Sequence, residues 1–276
     1  MTKITALTPA GSVTTSDLVE VVQAGVNKKA LVQDLANAVG IPSKDPVFRG
    51  NAGTTLLADE FSDNAFHPDW VKVEDAVRLR WREGGDVLSA VMENVVVGAA
   101  GKPHALIRPF TVPAADAPWT IEAATRRMTT YATDYMMGGL LLTGGVDYAA
   151  SPIMWNMPYQ HANTAGANLS VRWGADWNAG TNAGSPNYSG DWSTYLHQRM
   201  CYLGGGQWTF YYSPDGVGWL NVHGGPFTYT GFVPTHVGFG VGSWGNTGQR
   251  GVFTAEYLRI YDGNLGNAPA VPYASI

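Results

Sequence analysis

The chain has 276 residues, a net charge of −5 and 14% charged residues, against a usual ~25%, and no basic run that could neutralise a phosphate backbone, which excludes nucleic acid as a partner. Hydrophobic residues make up 45%, enough for a real core, which excludes wholesale disorder. The single cysteine, Cys201, excludes an internal disulfide, and no run of about 18 apolar residues exists for membrane insertion.

Residues 1–40 contain no Trp, Tyr or Phe. Within them Asp17 to Val22 predicts a short strand ahead of a turn at 23–25. Residues 30–39 place Leu31, Leu35, Ala38 and Val39 on one face, which predicts a short helix capped by Gly40 and stopped by Pro42. A helix of about ten residues is marginal alone, so this arm (1–42) calls for something to pack against. Residues 43–58 carry Pro, Gly and Asn turn chemistry and read as a linker. From Asp59 onward, candidate strands recur between breakers, at 76–82, 87–97, 104–112, 119–128, 139–143, 152–157, 168–173, 194–203, 207–213, 218–222, 235–242 and 252–261. With no amphipathic helix between them, they predict an all-β fold: a two-sheet antiparallel β-sandwich over 59–262. Val77 to Arg82 alternates apolar and charged as a half-buried strand does. Ser213-Pro214-Asp215-Gly216 between aromatic runs predicts a hairpin with Asp215 in its turn. Cys201, in an apolar run, reads as a buried structural thiol. Residues 263–276 read as a C-terminal surface tail. Residues 1–25 show no secretory leader, so the chain is expected to be made in a cytoplasm.

Several of these segments resemble a known family. Asp59 to Trp70, the Gly138–Leu142 strand, the hairpin from Tyr211 to Trp219, His236 to Val241 and Ala255 to Tyr261 occur in the order seen in concanavalin A-like lectin/glucanase domains. The resemblance covers roughly residues 59–262 and implies a concanavalin A-like jelly roll and carbohydrate binding. The arm, with Ile4 to Ala10, Thr15 to Val19 and Gly25 to Leu31, resembles the N-terminal segment of tailed-bacteriophage fibre, spike and related virion proteins. That likeness implies attachment to other virion proteins through 1–42, localisation to a virion released by lysis, and a homo-oligomer, with a trimer favoured.

Glycan binding needs flat rings for sugar faces and planar polar groups for hydroxyls. The stretch from Trp173 to Trp192 has that composition and no strand or helix period, so it is expected to be a long functional loop. Its ring candidates are Trp173, Trp177, Tyr188 and Trp192; its polar candidates are Asp176, Asn178, Asn182, Asn187 and Asp191. Packing of these rings onto the sandwich is the competing reading. Trp244, in a second Gly-flanked loop, is a further candidate, and Trp155 is expected in the core. Host surface polysaccharide is the expected partner.

No catalytic residue is assigned. Glycoside hydrolysis needs two carboxylates across a cleft. The Glu-x-Asp-x-x-Glu strand of the related glucanases is absent, and no same-strand acid pair replaces it within 119–260, although a split pair such as Glu122 with Asp176 stays open. The six histidines carry no hydrolase motif and are expected to be hydrogen-bonded loop or strand residues. Many domains of the resembled fold hold a structural calcium ion near the first and last strands. Here the resemblance points to Asp59, Glu60, Asp63 and Asp262, with solvated surface acids as the alternative. The expected function is host-glycan adhesion by a phage appendage. Glycan depolymerisation on the same scaffold and a purely structural fibre or decoration role are the alternatives.

Overall fold

The computed structural model describes residues 18–23, 26–31, 55–73, 79–93, 104–113, 116–129, 135–147, 151–157, 159–160, 167–168, 171–174, 181–184, 187–188, 196–222, 225–244 and 250–266. Contacts divide the chain into two units, residues 1–50 with 271–276, and residues 51–270. Among the described residues there is no helix, so none is long and apolar enough to cross a membrane.

In the first unit, β1 (Leu18–Gln23) and β2 (Val26–Leu31) form an antiparallel hairpin with Gln23 opposite Val26. The expected strand is therefore present, and residues 24 and 25 of the expected turn lie outside the described residues. The expected helix over 30–39 is corrected at its start, because Ala30 and Leu31 pair with Val19 and Leu18; residues 32–39 lie outside the described residues. Cross-strand partners on β1 hold Ala30 and Leu31 in the ladder, and a marginal helix of about ten residues does not compete for them.

The second unit begins with β3 (Thr55–Asp59), β4 (Val71–Val73), β5 (Leu79–Glu83), β6 (Leu88–Glu93) and β7 (His104–Pro109). The long β8 (Trp119–Thr129) and β9 (Tyr135–Thr143) follow. Then come the short β10 (Ile153–Asn156), β11 (Tyr159–Gln160), β12 (Ala167–Asn168), β13 (Val171–Gly174), β14 (Thr181–Gly184) and β15 (Asn187–Tyr188). The chain closes with β16 (Leu196–Gly204), β17 (Gln207–Ser213), β18 (Leu220–Asn221), β19 (Phe227–Thr228), β20 (His236–Trp244) and β21 (Arg250–Asp262). They make two antiparallel sheets. One runs β18-β17-β16-β8-β21-β6-β5, with β3 also on β21 and β19 on β17. The other runs β4-β7-β20-β9; the far side of β9 is shared by β10, which leads to β13 and β14, and by β11, which leads to β12 and β15.

Two expected boundaries change. The linker reaches only to about residue 54, because β3 pairs with β21, Asp59 opposite Leu258. The stretch 173–192 is not free of strand: β14 pairs with β13 and β15 with β12. Each of these pieces is short, and a two- to five-residue strand is too brief to show a period.

The core lies between the sheets. Ile121, Ala123, Met200, Phe210, Phe253, Leu258 and Ile260 of one sheet meet Leu106, Leu140, Leu142, Met154, Val237 and Phe239 of the other. In β21 the register shifts between Ala255 and Tyr257. This bulge keeps Phe253, Ala255, Leu258 and Ile260 on the core side and turns Tyr257, Arg259 and Tyr261 to the opposite face. The β9 sheet is also apolar on its other face, where Ala105, Ile107, Leu141, Ile153 and the expected core residue Trp155 are buried together. Burial on both faces explains why this sheet reads as continuous apolar runs rather than alternation. Gly238 in β20 is obligatory, since a Cβ there would lie 2.0 Å from the Leu106 carbonyl oxygen.

Candidate functional site: an aromatic pocket at one end of the sandwich

Three stretches of chain converge where β8 and β17 begin and β16 ends. Val112, Pro113, Asp116 and Ala117 come from the β7–β8 connection, and Trp119 from the start of β8. Tyr202 and Trp208 flank the β16–β17 turn, and Phe232, Val233 and Pro234 precede β20. Together they line a cavity of about 250 Å³. The turn is a two-residue Gly205-Gly206 hairpin with positive φ at both glycines (60° and 73°), as a tight right-twisted turn requires. A register shift between Tyr202 and Gly204 then sets Tyr202, rather than Leu203, opposite Trp208 across the ladder.

The floor is made of rings. Trp208 meets Trp119 edge-on at 5.4 Å, Tyr202 at 4.9 Å and Phe232 at 5.9 Å. Trp119, Trp208 and Phe232 are buried, whereas Val233 at the rim is 62% exposed. The polar element is Asp116, exposed and held on two sides. The Tyr202 hydroxyl donates to Asp116 Oδ1 at 2.8 Å and accepts from the Gly206 amide at 3.2 Å. A Cβ on Gly204 would come within 2.8 Å of the Asp116 carbonyl oxygen, so glycine lets the hairpin pass close beneath it. Asp116 takes a left-handed backbone conformation, φ 63°, which Asp tolerates better than most residues. Burial, followed by the hydrogen bonds to Gly206 and Asp116, sets the Tyr202 hydroxyl, whose pKa rises above the ordinary tyrosine value and keeps it protonated as a donor.

A second polar cluster sits on the non-core face of the β8 sheet. Arg199, Glu122 and Arg259 lie in one cross-strand row of β16, β8 and β21. Arg199 reaches Glu122 Oε2 at 2.6 and 3.0 Å, and both side chains are fully buried. The Tyr257 hydroxyl donates to Glu122 Oε1 at 2.9 Å and lies 3.0 Å from His197 Nδ1. Arg199 also stacks on Trp219 at 3.8 Å and donates to the Gly266 carbonyl. The start of the expected C-terminal tail is thus pinned: Leu265 is buried and its amide donates to Thr120. Glu122 is held as an ion-pair anchor, which suits structure rather than proton transfer to a ligand.

Of the glycan candidates expected from sequence, Trp173 is packed, stacking on Phe227 at 4.0 Å and 18°. The ring is half-buried against the edge of the core. Asn182, Asn187, Tyr188 and Trp244 have described backbone only, in β14, β15 and β20. Asp176, Trp177, Asn178, Asp191 and Trp192 lie outside the described residues. None of the pocket residues was singled out from sequence. The legible signal was the pair of rings bracketing Gly204-Gly205-Gly206, but Asp116 and Phe232 join them only through the fold.

The four acids named for calcium each have another neighbour. Asp59 accepts from the Trp70 indole at 2.9 Å and faces Arg108; Glu60 pairs with Arg259 at 2.6 Å; Asp63 caps the Ala65 amide; Asp262 stands opposite Trp119. No group of three or more metal-ligating side chains gathers among the described residues. Cys201 is buried, as expected, and burial raises its thiol pKa.

No protein-family model and no curated protein matches the chain. Solved structures do. A xylan beta-1,4-xylosidase from Bacillus halodurans C-125 superposes with TM-score 0.54 at 13% identity over 74% of this chain, which spans only 39% of that enzyme. A structure reported for the endo-acting O-glycanases that human gut microbiota express to initiate mucin breakdown gives 0.52 at 11% identity, over 76% of this chain and 100% of the other. The CBM2 module of the evolved Dit of Lactobacillus casei BL23 phage J-1 gives 0.50 at 11% identity, over 78% and 98%. At these identities the likeness is one of fold, and the fold is the expected two-sheet antiparallel sandwich of the concanavalin A-like jelly-roll type.

Proposed function

We propose that this protein is a glycan-binding adhesion module of a phage or phage-like particle, with the aromatic pocket as its sugar site. The observation that carries the reading is the pocket itself. Buried rings beside an oriented acceptor suit a part of a glycan that brings an apolar patch and a hydrogen-bond donor together. The sandwich is of a type used by glycan-active proteins, and one similar module belongs to a phage Dit. The virion placement rests on the likeness of the 1–42 arm to phage fibre segments. On this reading the arm binds other virion proteins and the chain assembles as a trimer.

Binding is favoured over hydrolysis because Asp116 is the single carboxylate of the pocket lining among the described residues, and glycoside hydrolysis calls for a pair. The test is a glycan array with the full chain, followed by calorimetry on each hit. Val233→Asp, which charges the exposed rim, is expected to weaken binding about tenfold while leaving the melting temperature within about 2 °C. An array without hits defeats the reading. Release of reducing ends from a bound glycan turns it toward a depolymerase.

A further inference from the structure

The pocket's chemistry is lopsided. Val112, Pro113, Phe232 and Pro234 present carbon and Trp119 and Trp208 their ring systems, while the polar side-chain atoms are those of Asp116 and Tyr202 and the indole nitrogens, of which Trp208 Nε1 is buried with no hydrogen-bond partner among the described residues. The Tyr202 hydroxyl is already spent, since its proton goes to Asp116 Oδ1 and its oxygen accepts from Gly206. What remains for a ligand is an oriented carboxylate acceptor beside a largely apolar recess in which the Trp208 indole N–H is the one buried, unpartnered donor among the described lining side chains. A bare pyranose ring would set several hydroxyls against carbon, each costing free energy if left unpaired. At about 250 Å³ the recess is also smaller than the roughly 300–1,000 Å³ usual for whole ligands, so it suits one substituent or one residue of a chain.

We infer that the pocket recognises the acetamido group of an N-acetylated amino sugar, its N–H donating to Asp116 and its methyl seated on the rings of Trp119, Trp208 and Phe232. The inference rests on the glycan reading above and narrows it to a substituent. An N–H next to a methyl is the complement of an acceptor next to a carbon recess. A cationic amine is the competing occupant of a pocket that joins rings and a carboxylate. It is disfavoured by position: Asp116 is exposed at the mouth, where water weakens an ion pair, whereas the recess is closed by buried rings that would strip a full charge of its hydration.

Three tetrasaccharides with the same β-1,4 backbone separate the cases, differing only at C2: the N-acetylglucosamine tetramer (acetamido), its fully de-N-acetylated form (ammonium) and cellotetraose (hydroxyl). With the full chain in calorimetry, the acetylated tetramer is expected to bind at least about tenfold more tightly than either of the others. Asp116→Ala should weaken it about tenfold, while Asp116→Asn, which keeps a neutral acceptor, should stay within a few-fold. Thermal melts of both variants establish that they fold. Equal binding of cellotetraose overturns the acetamido assignment and leaves the glycan reading standing. Tighter binding of the ammonium form, abolished by Asp116→Asn, overturns it in favour of a cationic ligand. Binding of none of the three overturns it as well, and the glycan array then decides separately whether any sugar is bound.

Discussion

Glu83 and the Arg199–Glu122 pair show how far single groups depend on what surrounds them. Glu83 ends β5 and is 6% exposed. Burial first, then the Asp63 carboxyl beside it and the charges of Asp59 and Asp63, push its pKa up to about 7. A carboxyl whose folded pKa is raised favours the folded state at low pH. That contribution is complete below its unfolded value near 4.5 and is lost as pH rises through about 7. Urea melts at pH 5 and pH 8 should therefore show a larger loss of stability in the native protein than in Glu83→Gln, the difference reaching about 1–3 kcal/mol. Arg199 and Glu122 behave differently because each satisfies the other while both are fully buried. Arg199→Ala leaves a buried carboxylate uncompensated and should cost about 3–5 kcal/mol in chemical denaturation, whereas removing both charges together should cost less than the sum.

Among the elements, the Ser213–Gly216 turn and strand β20 are set by local chemistry of opposite kinds. Asp215 Oδ1 accepts from the Val217 and Gly218 amides at 2.8 and 2.9 Å and from the Ser213 hydroxyl at 2.9 Å. Chiefly the Gly218 and Val217 amides hold its carboxyl down to about 2. Its contribution is thus present above the ordinary aspartate range and fades as pH falls through about 2. Asp215→Ala should loosen this turn at a cost of about 1 kcal/mol, read as faster amide exchange at 217 and 218 with the rest of the sandwich unchanged. In β20 the constraint is space rather than hydrogen bonding. Gly238→Ala must move the β7 backbone and should destabilise the domain by about 1–3 kcal/mol or prevent folding, as a thermal melt would report.

For the whole molecule, the division at residue 50 matters most. The core between the two sheets is built from residues 57–260, all inside the second unit. Residues 51–270 expressed alone should therefore unfold in one cooperative transition with the near-ultraviolet spectrum of a packed aromatic core. Loss of that spectrum on removing residues 1–50 would mean the sandwich depends on its arm. On the proposed function the same truncation keeps glycan affinity and loses incorporation into the particle.

The amino-acid sequence alone determined that the chain is an antiparallel sandwich, where its long strands run, and that Asp215 serves a turn and Trp155 a core. These follow from neighbours along the chain: alternation along β5, Gly at a positive-φ turn, apolar runs where a sheet is buried on both faces. The tertiary structure alone decided the rest. The short strands β3, β14 and β15 exist through partners far along the chain, and the bulge between Ala255 and Tyr257 is set by pairing with β8. Trp173 looked like a sugar platform, yet stacks on Phe227, a residue 54 positions away whose proximity no spacing rule could give. The pocket is the clearest case. Asp116, Tyr202, Trp208 and Phe232 come from three stretches of chain, and each alone reads as an ordinary loop or strand residue. Only the closure of one sheet over the other brings a carboxylate to a ring-lined recess, because recognition depends on distance in space and local sequence patterns record distance along the chain.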